Sequence, residues 1–269
     1  MEYELDNKAY LNILFEGYKK IKEDNKLYGH TEIPMIIINK YMSLIEKPSF
    51  SELITQYKKM YIYNESRVEA NFSKEEQEGL SEVYDYLQSF DYTKKNFNIF
   101  IESMIIHQKL YSKCGDGLFG GSLRESTAVL LDLNVEVLSP EDAMKEFNSY
   151  IAKGDYLRKY LEEGDIFKYI NECIKLNVEL IKLQPFADGN KRTFRALLNL
   201  LLKRINIPPV YIDECEYGEY KKVLIKALNA TREEDYNDII HFYYYKICDG
   251  IMTLDINNSE LTKDSSKIK

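Results

Sequence analysis

The chain has 269 residues, 45% of them hydrophobic and 30% charged, a composition typical of a folded globular protein. Its formal net charge of −8 disfavours non-specific binding to nucleic acids or anionic membranes, which require a basic surface, so we expect neither as a direct partner. The sequence has no run of 18 apolar residues and no basic segment followed by an apolar one, which predicts a cytoplasmic protein without a membrane span or secretory signal.

The cysteines and histidines do not indicate a metal or disulfide framework. The four cysteines are widely spaced, form no C-x-x-C pair and are accompanied by only three histidines. We therefore expect reduced, structural cysteines and no zinc site.

Helical periodicity dominates the first part of the chain. Apolar residues recur at helical spacing over residues 10–24, 33–47, 49–63, 74–88 and 94–112. A short segment, residues 64–73, separates the third and fourth of these helices. Ser73 and Glu76 have the spacing of a capping box, which predicts that the fourth helix begins there.

The middle of the chain has a different texture. The segment CGDGLFGGS (114–122) contains four glycines and is not the interior of a helix. Leu131, Leu133, Val135 and Val137 then alternate with polar residues, which predicts a strand and a β-hairpin. Helices are predicted again at 140–153, 164–182, 191–205, 216–229 and 233–248, and the polar segment 257–269 is predicted to be frayed. The pattern is mainly α, with one inserted hairpin.

The segment KLQPFADGNKRTFRALLN (182–199) concentrates the polar residues that suggest chemistry. Asp188-Gly189-Asn190 forms a turn before an apolar helix, whose first amide groups would form an anion site. Lys191, Arg192 and Arg195 follow at once, although each cation near a helix N-terminus costs roughly 0.3–1 kcal/mol without an anion. A bound polyphosphate would reverse that cost, and an adjacent acid would suit a Mg²⁺ ion that bridges phosphates. The alternative is a solvated basic turn.

Residues 184–195, QPFADGNKRTFR, resemble the motif of the Fic/Doc family, His-x-Phe-x-(Asp/Glu)-Gly-Asn-(Gly/Lys)-Arg-x-x-Arg, with only the histidine replaced. The resemblance covers roughly residues 91–247. It implies an all-α protein, a Fic-fold helical bundle with an inserted β-hairpin flap. The corresponding division is an N-terminal helical extension (1–90), a Fic domain (91–248) and a polar C-terminal tail (249–269).

The resemblance also implies a reaction and its site residues. The common reaction of the family is AMP transfer from ATP to a protein hydroxyl, so the expected cofactors are ATP and Mg²⁺. The expected partner is a protein with a Ser, Thr or Tyr hydroxyl, and self-association into a homo-oligomer stays open. By this resemblance the roles are as follows: Asp188 binds Mg²⁺, Gly189 and Asn190 hold the α- and β-phosphates, Arg192 contacts the outer phosphates, and Arg195 contacts the γ-phosphate.

The flap would begin at Arg124, and residues Ser126 and Thr127 would help to align the target segment by strand addition. Lys191 occupies a position that is glycine in most AMP-transferring members and lysine in the Doc-like branch. It therefore leaves open a kinase that moves the γ-phosphate.

A second resemblance lies upstream, in the segment ESRVEANF (65–72). It is similar to the inhibitory helix of one Fic subclass, (Ser/Thr)-x-x-x-Glu-(Gly/Asn), although Glu65 and Ala70 depart from that pattern. The inhibitory residue would be Glu69, which would pair with Arg195 and compete with phosphate for its guanidinium. The alternative is that Glu69, one acid among 44, lies on a polar helix face.

Gln184 replaces the family's general base, and its amide does not titrate near neutral pH. The loss of a positioned base typically lowers a rate by about 10²–10⁴. Three interpretations stay open: a transferase with weak or altered activity, a nucleotide-binding pseudoenzyme, and a histidine-to-glutamine substitution introduced into an active protein. Glu69 offers a further alternative. In some members of the subclass with an inhibitory helix, the inhibitory glutamate helps water to remove AMP from a modified protein.

Overall fold

The computed structural model describes residues 43–47, 50–69, 73–93, 96–115, 120–128, 130, 135 and 137–267. The structure is helical in this part. The α-helices whose bounds it gives are α1 (Phe50–Val68), α2 (Lys74–Ser89), α3 (Ile99–Leu110), α4 (Pro140–Lys153), α5 (Arg158–Glu162), α6 (Ile166–Leu183), α7 (Asn190–Lys203), α8 (Tyr217–Leu228) and α9 (Asn237–Lys267), with short 3₁₀ turns at Glu214–Glu216 and Glu233–Tyr236.

Side-chain caps fix where several of these helices begin. The Ser73 hydroxyl accepts from the Glu76 amide at 3.2 Å, and the Ser139 hydroxyl accepts from the Asp142 amide at 3.1 Å. The Asp165 carboxylate accepts from the Lys168 amide at 2.9 Å. Each cap satisfies an amide that has no partner within its helix. The predicted starts of α2, α4 and α6 are confirmed to within two residues.

Helix α7 lies at the centre of the bundle. From Arg192 to Leu202 every side chain is buried, and the helix packs against α2, α3 and α6. Below its first turn, the Phe194 ring lies 5.9 Å from the Phe186 ring, which in turn lies 5.6 Å from the Phe147 ring. This aromatic cluster supports the polar loop that precedes α7 and fixes its position against the core.

Helix α1 covers one side of this arrangement, because it packs against both α2 and α9. Its Tyr57 hydroxyl is buried and donates to the Pro209 carbonyl at 2.9 Å. The predicted short segment 64–73 is therefore not a separate element, since residues 64–68 form the last turns of α1. This continuous helix carries Glu65, and brings Glu69 just beyond its end, towards the start of α7.

The predicted β-hairpin is not confirmed. The described residues of that region contain two isolated antiparallel bridges, Leu123 with Phe186 and Leu130 with Val135, and no strand. Residues 131–134 and 136, most of the predicted strand, lie outside the described residues. An alternating pattern of four apolar residues is a weak basis for a strand, because an isolated two-stranded hairpin is at best marginally stable in water.

Other boundaries also differ from the sequence prediction. Helix α3 begins at Ile99, where the Asn98 side chain caps it, and not at residue 94. Helix α9 continues to Lys267, so the prediction of a frayed tail over 257–269 is wrong for most of that segment. No Pro or Gly follows Gly250 to stop the helix. The predicted helix at 10–24 and most of the one at 33–47 lie outside the described residues.

Two negative findings concern the described part of the chain. None of its helices is both long and apolar enough to span a bilayer. All four cysteines fall within it and are unpaired.

Candidate functional site

The loop between α6 and α7 is held in an unusual backbone conformation. Gln184 ends α6 with a φ of 48°, and Gly189 precedes α7 with a φ of 71°, both in the left-handed region. A Cβ atom at position 189 would lie 2.6 Å from the Tyr111 hydroxyl. Glycine is required at this position because both the backbone angle and the close approach of Tyr111 exclude a side chain.

Side chains inside the loop hold its shape. The buried Asn190 accepts from the Phe186 amide and donates to the Phe186 carbonyl, both at 2.9 Å. Its amide group also donates to Gln184 Oε1 at 3.1 Å, and Gln184 Nε2 donates to the Ile181 carbonyl at 2.6 Å. We expected the Asn190 side chain to contact phosphate, but both of its amide hydrogens are used within the loop.

The start of α7 remains suited to an anion. Its first intrahelical hydrogen bond runs from the Thr193 amide to the Gly189 carbonyl, so the amides of residues 190–192 have no partner within the helix. The helix dipole adds partial positive charge at the same end. The Asp188 side chain lies beside this point and is 70% exposed, with its Oδ2 atom accepting from the Tyr111 hydroxyl at 2.9 Å.

His107 supports the loop from below. The Gly121 amide donates to its Nδ1 atom at 2.8 Å, so Nε2 carries the proton and donates to the Asp188 carbonyl at 2.9 Å. The ring stacks on Phe186 with centroids 3.9 Å apart. Burial lowers the pKa of His107 to about 4. His107 is therefore neutral at pH 7, and both of its nitrogens are occupied.

Arg192 is buried and paired. Its Nη1 atom donates to Glu76 Oε2 at 2.7 Å, and its Nη2 atom donates to the Tyr111 hydroxyl at 3.0 Å. Nη2 also lies 3.8 Å from the Asp188 carboxylate. Burial raises the pKa of Tyr111, so its phenol stays protonated at neutral pH and does not act as a base.

Arg195 lies one turn further along α7 and has two carboxylate partners. Its Nε and Nη2 atoms donate to Glu65 Oε2 at 3.0 and 2.8 Å. Its Nη1 atom donates to Glu69 Oε1 at 2.8 Å. The predicted contact between Glu69 and Arg195 is therefore present, whereas its inhibitory role stays a prediction. The two carboxylates thus accept from all three nitrogens of the guanidinium group.

Lys191 completes the arrangement, because its ammonium group lies 2.9 Å from Glu69 Oε2. Burial alone would raise the pKa of Glu69, but the charges of Arg195 and Lys191 outweigh this effect and lower the pKa to about 2. Glu69 is therefore ionised at neutral pH. We expected Lys191 at the phosphates, but in the structure it holds the carboxylate that faces them.

Arg124 joins the flap region to the loop. It is buried, and its guanidinium donates to the carbonyls of Gln184 at 2.5 Å, Ser126 at 3.1 Å and Leu138 at 2.6 Å. Its own amide donates to the Pro185 carbonyl at 2.9 Å. One side chain thus ties both ends of the segment 126–138 to the motif loop. Ser126 and Thr127, also predicted as flap residues, are exposed.

Most residues of the predicted phosphate site come together around the start of α7, with Arg124 on its flap side. Sequence analysis missed three that contact them: Glu65, Glu76 and Tyr111. Glu65 precedes Glu69 by four residues, and this i, i+4 spacing on a helix could have indicated a pair on one face. The capping position of Glu76 suggested only a local role. Nothing in the sequence pointed to Tyr111.

The site fits a magnesium ion held mainly by a ligand. Among the described residues, no group of three or more His, Cys, Asp or Glu side chains is placed to hold a metal. Asp188 offers one exposed carboxylate next to the free amides. Mg²⁺ is commonly bound by one or two carboxylates together with substrate phosphates and water, which matches this arrangement.

Residues 100–202 match the model of the Fic/DOC family. This segment is therefore similar to a Fic/DOC domain. It contains the loop, α7, His107, Tyr111 and Arg124, whereas Glu65, Glu69 and Glu76 lie on helices that precede it.

The chain is also similar in sequence to proteins named protein adenylyltransferase Fic. It is 32% identical over 168 residues to a protein adenylyltransferase Fic of Nematostella vectensis, covering 61% of this chain and 36% of the relative. It is 26% identical over 167 residues to one of Aedes aegypti, covering 61% of this chain and 30% of the relative. The match thus spans about a third of each relative's length.

Solved structures share the fold. A Fic-domain-containing signalling protein from Bacteroides thetaiotaomicron aligns with a TM-score of 0.66 at 17% identity, covering 82% of this chain and 96% of that one. Fic-1 from C. elegans aligns with a TM-score of 0.65 at 15% identity, covering 94% of this chain and 77% of that one. The helical architecture therefore extends beyond the segment that matches the family.

Proposed function

We propose that this protein is a Fic-type adenylyltransferase, which transfers AMP from ATP to a hydroxyl group of a target protein and is held inactive by Glu69. The observation that carries the proposal is the cluster at the start of α7. Free helix amides, two buried arginines and an exposed aspartate converge there, and buried carboxylates occupy the arginines. Relatives that share the domain are protein adenylyltransferases.

Each residue has a part in nucleotide binding under this proposal. The amides of Gly189 and Asn190 bind the α- and β-phosphates, and Arg192 and Arg195 bind the outer phosphates through their forks. Asp188 holds Mg²⁺, which supplies charge neutralisation of the phosphates when bound. Positioning and electrostatic stabilisation account for much of phosphoryl-type transfer, and these residues provide both.

Glu69 opposes this binding. Its carboxylate contacts Arg195 at 2.8 Å and Lys191 at 2.9 Å, so it lies where an outer phosphate would be bound. The low pKa of Glu69 means that it competes as an anion at every physiological pH. Replacing it with glycine would free one donor of Arg195 and leave Lys191 without its carboxylate partner.

A second candidate function is nucleotide binding without transfer. Gln184 cannot take a proton from an attacking hydroxyl, and its amide contacts Ile181 and Asn190 inside the loop. His107 is no substitute, because its pKa is about 4 and both nitrogens are hydrogen-bonded. A hydrolase that removes AMP from a modified protein is a further alternative. In that case Glu69 would be the base that activates the attacking water.

The target would be a protein that presents a Ser, Thr or Tyr hydroxyl beside the flap. Arg124 fixes the base of the segment 126–138, beside which the target would be presented. The four unpaired cysteines support a reducing compartment such as the cytoplasm.

Labelled ATP separates these functions. The chain, Glu69→Gly, and Glu69→Gly combined with Gln184→His would be incubated with Mg²⁺, a lysate and ATP labelled at either the α- or γ-phosphate. Adenylyl transfer places only the α-label on protein, and we expect the most in the double variant. γ-Label on protein would indicate a kinase. Tight nucleotide binding without label in any variant would support the non-catalytic candidate and exclude the transferase.

A further inference from the structure

The three cations at the start of α7 are balanced by three carboxylates from outside the Fic/DOC domain. Lys191, Arg192 and Arg195 contact Glu69, Glu76 and Glu65, with Glu69 shared between Lys191 and Arg195. These six charges sum to zero, and Asp188, 3.8 Å from Arg192, adds a fourth carboxylate at the edge of the cluster. A triphosphate that enters this site must therefore displace carboxylates that are already bonded to the cations. The carboxylate that is bound most strongly makes the largest contribution to the free energy needed to open the site.

Glu65 is the stronger partner of Arg195. It accepts from two guanidinium nitrogens at 3.0 and 2.8 Å, whereas Glu69 accepts from one at 2.8 Å. The Glu65 side chain is 1% exposed and the Glu69 side chain 12%. Less solvent around a charge pair means less screening of its attraction. Glu65 also lies within α1, so it cannot leave without that helix, whereas Glu69 lies just beyond its end.

We propose that Glu65 and Glu69 form a two-carboxylate clamp on Arg195, in which either carboxylate keeps the guanidinium engaged and Glu65 is the stronger of the two. The inference rests on the proposed nucleotide-binding function of the site. Moving the Glu69 side chain leaves Arg195 bound to Glu65 at two nitrogens, so the outer-phosphate position opens fully only when the last turn of α1 withdraws and removes both carboxylates together.

The environment of Glu65 explains why this clamp can be released. Its second oxygen, Oε1, is buried and has no hydrogen-bond partner. An unpaired carboxylate oxygen loses its hydration when it is buried, which is unfavourable. It regains that hydration when the helix end moves into water. This unfavourable term opposes the attraction of Arg195, so the clamp is held by a smaller margin than two ion pairs would suggest.

Binding measurements on isosteric variants test the clamp. Calorimetry would compare the wild type, Glu65→Gln, Glu69→Gln and the double variant, using ATP with Mg²⁺ and, separately, inorganic tripolyphosphate. Glu52→Gln is the control, because it removes an acid from the exposed first turn of the same helix. If Glu65→Gln does not fold, Glu65→Asp replaces it, since the shorter side chain keeps the charge but loses the two-nitrogen contact.

We expect Glu69→Gln to tighten tripolyphosphate binding by less than about 5-fold, Glu65→Gln by about 10-fold, and the double variant by more than the product of the two, because either carboxylate alone holds Arg195. An equal gain for Glu69→Gln and the double variant would overturn the clamp. So would failure of the folded double variant to bind tripolyphosphate. Tripolyphosphate binding without ATP binding would support the clamp and contradict the proposed function.

Discussion

Gly189 shows how closely the loop and its neighbours are fitted at the scale of one residue. The backbone φ is 71°, and a Cβ atom added there would lie 2.6 Å from the Tyr111 hydroxyl, so Gly189→Ala meets backbone strain and a clash together. We expect it to lower the free energy of unfolding by about 2–4 kcal/mol, measured by urea denaturation. Under the proposed function, it would also weaken ATP binding by displacing Tyr111 from Asp188.

Gly164 provides the matched control. It has a φ of 76°, but a Cβ there would meet nothing within 4 Å. Gly164→Ala should therefore show only the backbone part of the effect, about 1–2 kcal/mol. Equal losses in the two variants would mean that contact with Tyr111 does not matter.

His107 makes the stability of the protein depend on pH. Its pKa in the folded protein, about 4, lies below the ordinary value of about 6.5, so the folded state favours the neutral ring. The contribution of the neutral His107 ring to the free energy of unfolding is fully present above pH 6.5. It is lost as the pH falls towards 4, on the order of 2–3 kcal/mol in all. Urea unfolding at pH 7 and pH 5 would measure it.

His107→Gln should reduce this pH dependence, because glutamine can still donate to the Asp188 carbonyl but does not titrate. The variant is expected to be less stable at pH 7 and to lose less between pH 7 and pH 5 than the wild type. His241, whose pKa is also lowered by burial, is present in both proteins and cancels in the comparison. An unchanged difference between the two pH values would contradict the assignment.

At the scale of elements, Arg124 is the link between the flap region and the loop. Arg124→Lys keeps the charge. A lysine ammonium group is compact, however, and cannot donate to the carbonyls of Ser126, Leu138 and Gln184 at once, as the wider guanidinium does. We expect a loss of about 2–3 kcal/mol in urea unfolding and faster amide exchange at Leu123 and Arg124.

The control for this change is Arg158→Lys, since Arg158 forms an exposed i, i+4 pair with Glu162. Such a pair contributes little, so this variant should unfold within about 0.5 kcal/mol of the wild type. If Arg124→Lys behaved in the same way, its hydrogen bonds would not be holding the flap region.

How far the sequence predicts each element depends on whether its signals are local. Ser139, followed by Pro140, and Asp165 are caps within one turn of the helices they begin, so α4 and α6 could be predicted closely. The end of α1 could not, because Asn64, Glu65 and Ser66 look like a polar surface and are in fact buried. Glu65 is buried against Arg195, which lies 130 residues away in the chain.

The candidate site follows the same division. The motif loop and the spacing of Arg192 and Arg195 are local, and both were predicted from the sequence. The partners Glu65, Glu76 and Tyr111 lie elsewhere in the chain, and no local signal shows that these two acids, among 44, are buried against the arginines. The sequence therefore indicates where a phosphate would be bound, whereas only the packing of α1 and α2 shows what occupies its place.

At the scale of the whole molecule, Lys246 joins the long C-terminal helix to the chain that follows α7. Its buried ammonium group contacts Asp213 at 2.5 Å, Glu216 at 2.8 Å and Asp249 at 3.0 Å. Lys246→Met would leave three neighbouring carboxylates without their cation. We expect a loss of about 3–5 kcal/mol at pH 7, measured by urea unfolding.

The loss should be smaller at pH 5. Burial already raises the pKa of Glu216, and removal of the lysine raises the pKa further, so folding then favours the protonated carboxyl and the deficit grows as the pH rises. Lys226→Met is the control, because its pair with Asp238 is about half exposed at both ends, 50% and 48%. A deficit independent of pH would indicate lost packing and not repulsion between carboxylates.

The burial of the Arg195–Glu65 ion pair determines how strongly salt affects it. Ionic strength acts on charges that counterions can approach, with a screening length of about 10 Å at 0.1 M salt. The two side chains are 3% and 1% exposed, so counterions reach neither. Under the proposed clamp, we therefore expect tripolyphosphate binding to the wild type to stay weak as salt is varied, whereas withdrawal of the end of α1 would strengthen it.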